Sequence, residues 1–206
     1  MKFSENELNS LREQIRARLS ENRYLHTLAV EECAIRLSKL CIPDKESEVA
    51  AAALLHDITK ELSPQEQKAI LDEESILLDE EDYDSVGVLH SFTAPIIAKK
   101  EFSSFATENV ISAIRYHTLG SPEMSVFDEI IFLADFIEDT RTYDSSVKLR
   151  RFVWENMLPY ESKKNISVLH SACISAIDCT VLHLIEHKKK INTKNILTRN
   201  ALLSKI

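Results

Sequence analysis

The sequence predicts an all-α protein, and three observations carry that prediction. Two glycines and five prolines in 206 residues are too few for the tight turns of a β-rich chain of this length. Apolar residues recur at spacings of three and four along nearly the whole chain. The breaks in that periodicity fall where proline and glycine sit: Pro43, Pro64, and Gly120-Ser121-Pro122. No linker, internal repeat or low-complexity tract divides the chain, so residues 1–206 are expected to form a single helical domain.

Taken in order, a first helix is expected over about Ser4 to Leu19. A second runs from Glu21 to Leu40, with His26, Ala29, Cys33, Leu37 and Leu40 on one buried face. Ile42-Pro43-Asp44 ends it, and Glu46 to Lys60 resumes a helix whose middle, VAAAALL, is apolar on every side and so deeply buried. That burial carries His56 and Asp57 into the interior. Pro64 starts a short helix, and the acidic stretch Asp72 to Asp84 reads as an exposed loop or edge. A segment opening near Gly87 carries His90, with Pro95 fitting an early helical turn. Thr107 to Thr118 places Val110, Ile114 and His117 on one stripe. In Val126 to Asp139, the run IIFLADFIED surrounds Asp135 with apolar residues, where a lone carboxylate is costly and needs a partner. A long helix from about Asn165 to Lys189 closes the set, with a stripe of Ile166, Leu169, Cys173, Ile177, Val181 and Leu184.

Composition excludes several functions. Thirty-three acidic against 25 basic residues give a net charge of -8, which provides no field to gather nucleic acid along a broad surface. The longest apolar run, Val49 to Leu55, is far short of a membrane span, and MKFSENELNS lacks the apolar core of a signal peptide. A cytoplasmic protein without a membrane or nucleic-acid partner is expected. Cys33, Cys41, Cys173 and Cys179 form no C-x-x-C pair and read as free, buried thiols of a reducing compartment.

The chemistry lies in His26, His56, Asp57, His90, His117 and Asp135, which come from five segments, each near a helix end or on a buried stripe. Packing alone does not explain six such residues. Imidazole nitrogens with carboxylates suit iron, zinc, manganese or cobalt, and a bridging aspartate can hold two ions.

This arrangement resembles the HD-domain metal phosphohydrolases: His26 as the opening histidine, LLHDITK at Leu54 to Lys60 as the His-Asp pair, and LADFIE at Leu133 to Glu138 as the distal aspartate. The segments RYLHTLAV, AAALLHDITKE, VLHSFTAP, AIRYHTLG, ADFIEDTR and INTKNILTRN are similar to the YqeK branch, whose activity is symmetrical hydrolysis of diadenosine tetraphosphate to two ADP. The resemblance implies an HD-domain helical bundle, with a metal-site core over about 19–141 and additional C-terminal helices over about 146–206. It implies an iron site with His26, His56, Asp57 and Asp135 as ligands, and His90 and His117 as ligands to a second ion or as phosphate contacts. Asp57, Lys60, His90 and His117 are then the catalytic set. Lys60, His90, His117, Thr118, Arg141, Arg199 and Asn200 are the substrate-binding set, facing a dinucleoside polyphosphate or ADP. The chain departs from the family pattern in SFTAPIIAKKEF after His90, where a small-residue, glycine-containing turn is expected, and at Asp139, where the family often has proline. Near the carboxyl end Thr193 replaces an expected proline and Asn195 an expected threonine, while Arg199-Asn200 matches.

Two other readings stay open at this level: an HD-type hydrolase of nucleoside monophosphates or deoxynucleotides, and a non-catalytic nucleotide-binding protein. Arg23, one turn before His26, fits a surface role as well as a site role. His170 is expected to pack, His183 and His187 to be solvated, and Phe152 and Trp154 to lie in the core or a subunit interface. An apolar final helix is compatible with a homodimer.

Overall fold

Short polar side chains start most helices of this protein. In the computed structural model, which describes residues 2–206, the side chains of Ser4, Ser20, Ser63, Asp79, Thr107, Ser125 and Asn192 each accept a hydrogen bond from an amide of the first turn. Each such cap stabilises its helix by about 1 kcal/mol. Ser4 with Glu7, Ser63 with Glu66 and Ser125 with Asp128 close reciprocal capping boxes. The helices are α1 (Glu5–Arg16), α2 (Glu21–Cys41), α3 (Glu46–Leu55), α4 (Pro64–Glu73), α5 (Glu80–Asp84), α6 (His90–Glu101), α7 (Glu108–Tyr116), α8 (Val126–Ile137), α9 (Asp144–Asn156), α10 (Ser162–Glu186) and α11 (Thr193–Leu203). No strand occurs among the described residues.

The inner bundle is α2, α3, α7 and α8. Helix α2 packs on α3 and α8, α7 packs on α3, α6 and α8, and α10 joins α8 to α9 and α11. Ala50 to Ala53 are wholly buried and allow the backbone of α3 to approach its neighbours closely. One apolar cluster runs from Phe3 to Leu202, so the C-terminal helices share a core with those that precede them. Helix α10, with 25 residues, is long and apolar enough to cross a membrane by length and composition. Here its Leu169, Cys173 and Ile177 are wholly buried among the other helices.

Three expectations are corrected, and a fourth, the packing of His170, is met with a polar partner. The helix predicted to reach Lys60 stops at Leu55; Ile58, Lys60 and Leu62 instead bond three residues back, in a tightened turn over residues 56–62. Pro95 sits at the sixth position of α6, past the first turn. The acidic stretch is only partly a loop: it contains α5, whose Asp82 is buried and accepts from Asn192 and Lys194. Burial is tolerated because both donors face it. His170 does pack, but as half of a polar pair: its Nδ1 lies 2.6 Å from Glu129, which also takes Lys205 at 2.9 Å. His183 and His187 are exposed, as is Phe152, while half-buried Trp154 lies beneath the Arg36 guanidinium.

Candidate metal centre

Two histidines are placed by the same device. His56 is the C-cap of α3 and His117 the C-cap of α7. Their Nδ1 atoms lie 2.6 Å and 2.7 Å from the carbonyls of Ala53 and Ile114, three residues back. Each Nδ1–H thereby satisfies a carbonyl left open at a helix end. The same bond fixes the tautomer and leaves Nε2 as a lone pair turned inward.

Asp57 follows His56 and divides its oxygens between two sides. Its Oδ2 lies 3.4 Å from His56 Nε2 and 3.7 Å from His26 Nε2; its Oδ1 lies 3.3 Å from His90 Nε2 and 3.7 Å from His117 Nε2. His26 Nε2 is also 3.1 Å from Asp135 Oδ1, yet neither His26 Nε2 nor His56 Nε2 has an aligned hydrogen-bond partner. An unmade bond at a buried nitrogen costs about 1–3 kcal/mol. Two such nitrogens facing carboxylate oxygens are what a divalent cation satisfies. The groups His26-His56-Asp57, His56-His117-Asp135 and Asp57-His90-His117 each bring their ligand atoms within 4.8 Å of one another. The donor set therefore fits a divalent metal, with Asp57 shared between two of the three groups.

Charges around the cluster follow from this crowding. Burial pushes the Asp57 carboxyl up, but the positive charge that the neighbouring imidazoles carry when protonated, His56 foremost, prevails and holds it well below the usual carboxylate range. Burial would depress the His26 imidazole, but the Asp135 and Glu138 carboxylates outweigh it and hold it at about 9. His90 is pushed well below its ordinary value by burial, and burial also lowers Lys60 against the pull of Asp57 and Asp135.

Around these ligands stand the remaining predicted residues. Lys60 Nζ donates to the Gly87 carbonyl at 3.2 Å and lies 3.3 Å from both ring nitrogens of His90. Thr118 Oγ1 is 3.2 Å from His90 Nε2 and 3.0 Å from His117 Nε2, which are themselves 3.0 Å apart. Arg141 holds Asp135 at 2.6 Å. Arg199 and Asn200 are not brought to the cluster. Arg199 is captured by Asp178 of α10, and Asn200 is exposed on α11.

Sequence reasoning missed Glu138 and left Arg23 open. Glu138 is wholly buried, accepts from His26 Nδ1 at 3.1 Å and from Thr140, and so orients His26. Its signal was its place three residues after Asp135. Arg23 pairs with Asp57 at 2.8 Å. Arg23, His26, Glu138 and Arg141 open onto a cleft of about 410 Å³. Through Tyr143 this cleft adjoins a second one of about 300 Å³, lined by Phe136, Tyr143, Ser146, Thr180 and His183.

A helical bundle with histidines and aspartates converging from helix ends on a cation-sized centre defines a metal-dependent hydrolase of the His-Asp helical class. The chain belongs to the HD domain family, whose model matches residues 23–138. It is 32% identical over 191 residues to a "Bis(5'-nucleosyl)-tetraphosphatase, symmetrical" of Halalkalibacterium halodurans, covering 92% of this chain and 93% of that protein. A Bacillus subtilis protein of the same name is 28% identical, with coverage of 92% and 94%. A crystal structure from Clostridium acetobutylicum, described as a predicted HD superfamily hydrolase involved in NAD metabolism, superposes with a TM-score of 0.80 at 29% identity over the full length of both chains.

Proposed function

We propose that the chain hydrolyses diadenosine tetraphosphate symmetrically, releasing two molecules of ADP. The observation that carries this reading is Asp57 set between two pairs of histidines and beside two unpartnered imidazole nitrogens, with one of those histidines, His26, lining a cleft together with Arg23 and Arg141. The names borne by the relatives supply a dinucleoside tetraphosphate cleaved symmetrically, and the family resemblance supplies adenosine as the nucleoside. His26, His56, Asp57 and Asp135 would hold the metal, with His90 and His117 able to complete a second set. A divalent ion held there lowers the pKa of bound water towards neutrality and draws charge from a phosphoryl oxygen.

The chain's own residues do the rest. Arg23 and Arg141 set two guanidiniums against the tetraphosphate, each able to bond two oxygens at once. Lys60 adds a charge beside His90, and the Thr118 hydroxyl stands ready to donate to phosphate. Water's oxygen bonds to one inner phosphorus, the bridge between the two central phosphates breaks, and both fragments leave as ADP. The aromatic-lined pocket beyond Tyr143 suits an adenosine, since a purine stacks on Phe136 or Tyr143 while Ser146 and Thr180 offer hydroxyls. We take iron as the resident metal from the family resemblance; manganese, cobalt and zinc meet the same donor chemistry. The four free cysteines suit a reducing cytoplasm.

Chromatography of the products from protein of assayed metal content, with Asp57→Ala alongside, tests the reading. ADP as the sole nucleotide product, lost in the variant, is expected. AMP with ATP, or an intact dinucleotide before fully metallated protein, would overturn it.

A further inference from the structure

We propose that Asn195 and Thr198 of α11, a helix outside residues 23–138, are positioning residues for the His117-Thr118 turn and for His90; the proposal rests on the hydrolase reading above. Both side chains converge on a single atom. Asn195 Nδ2 and Thr198 Oγ1 each donate to the Leu119 carbonyl at 3.3 Å, and both residues are buried. Leu119 directly follows Thr118, where α7 has ended and a backbone carbonyl needs a partner from elsewhere. The chain leaves through Gly120 at φ +73°, with its amide bonded back to Tyr116 at 2.9 Å. A Cβ at Gly120 would lie 2.5 Å from Thr198 Cγ2 and 2.9 Å from its Oγ1, so α11 is seated directly on the turn.

The same helix reaches the segment that delivers His90. The Leu119 side chain is buried in one cluster with Leu71 of α4 and with Leu89, Phe92 and Ile96, which lie before and after His90 along the chain. At the start of α11, Asn192 Nδ2 donates to Asp82 at 2.8 Å, and Lys194 donates to Asp79 and Asp82 at 2.7 Å each. From Asp82 the chain runs through Gly87, whose carbonyl accepts from Lys60, into His90. One helix thus fastens the backbone entering His90 and the backbone leaving His117 and Thr118. The Nε2 atoms of those two histidines stand 3.0 Å apart across two helices, with Thr118 Oγ1 beside both. That geometry is sensitive, since a displacement of about 1 Å can cost on the order of a hundredfold in rate.

The test uses the full chain carrying Thr198→Val, Thr198→Ser or Asn195→Ala, with Leu197→Ala, more than half exposed on the same helix, as control. Thr198→Val and Asn195→Ala are expected to lower kcat for diadenosine tetraphosphate by about tenfold with KM within about twofold. Metal content should be unchanged, and Thr198→Ser should recover most of the loss. In zinc-loaded protein, the ring-nitrogen NMR shifts of His90 and His117 should move in Thr198→Val and stay in Leu197→Ala. Unmoved ring shifts with an unchanged kcat and only a lower melting temperature would overturn the proposal, as would a Thr198→Ser enzyme as slow as Thr198→Val. If the unsubstituted protein leaves the dinucleotide intact, the substrate reading falls by itself and the ring shifts alone decide the positioning role.

Discussion

Asp57 meets three kinds of neighbour at once: imidazoles on both oxygens, the Arg23 guanidinium, and the backbone turn that follows α3. Removing it takes away the carboxylate shared by two groups of ligands. Asp57→Ala and His56→Ala should therefore lose turnover through loss of metal, measured by elemental analysis of purified protein. Lys60→Ala should keep its metal and raise KM, because Lys60 contacts Gly87 and His90 and belongs to no ligand group. Equal metal loss in all three variants would contradict that division. Glu138→Gln keeps the shape but weakens the hold on His26 Nδ1. It should reduce metal affinity by about 10- to 100-fold in a chelator-competition titration. The ligand residues were legible because histidine and aspartate are conspicuous on apolar stripes. Glu138 was not, since one more acid in FIEDTR looks like surface until the fold turns it inward. Arg23 was undecided because its partner lies 34 residues away.

At the level of elements, the centre is assembled from helix ends. α3 and α7 stop where a histidine can turn back on its own helix, and Gly120 allows α7 to leave in a left-handed conformation. Gly120→Ala should cost about 1–2 kcal/mol from backbone conformation alone. The contact with Thr198 adds to this, and urea unfolding would register the sum as a lower midpoint. The first turn of α3 makes a pH prediction. Burial raises the Glu48 carboxyl, but Lys45 at 2.7 Å and Thr107 at 3.0 Å prevail and depress its pKa. A depressed folded pKa contributes stability that is fully present above the unfolded value near 4.3 and is lost as pH falls through the folded value. Glu48→Gln should therefore be less stable than the unsubstituted protein at pH 7, with the gap closing below about pH 4 in thermal melts. Helix positions were readable from proline, glycine and periodicity. The turn after Leu55 was not, because HDITKE carries no residue that forbids a helix. The docking of α5 was hidden for another reason: Asp82 finds Asn192 across 110 residues.

Over the whole molecule, the apolar core from Phe3 to Leu202 extends well beyond the centre, so the fold is expected to stand without the ion. Asp57 and Asp135 are paired with Arg23 and Arg141, so their charges stay compensated. Chelated protein should keep its far-ultraviolet helical signal and melt at a lower temperature. The loss should be about 2.7 kcal/mol relative to protein at a free metal concentration a hundred times Kd. Collapse of the helical signal on chelation would show instead that the ion holds the fold. The spread of the ligands along the chain has a temporal consequence. His26 and Asp135 are 109 positions apart (135 − 26), with the other four between them. Joining such distant groups requires loops to close before any coordination is gained. The ion is then expected to arrive late: newly made chains should become folded apoprotein first, with loading a separate event whose timing the supply of metal sets.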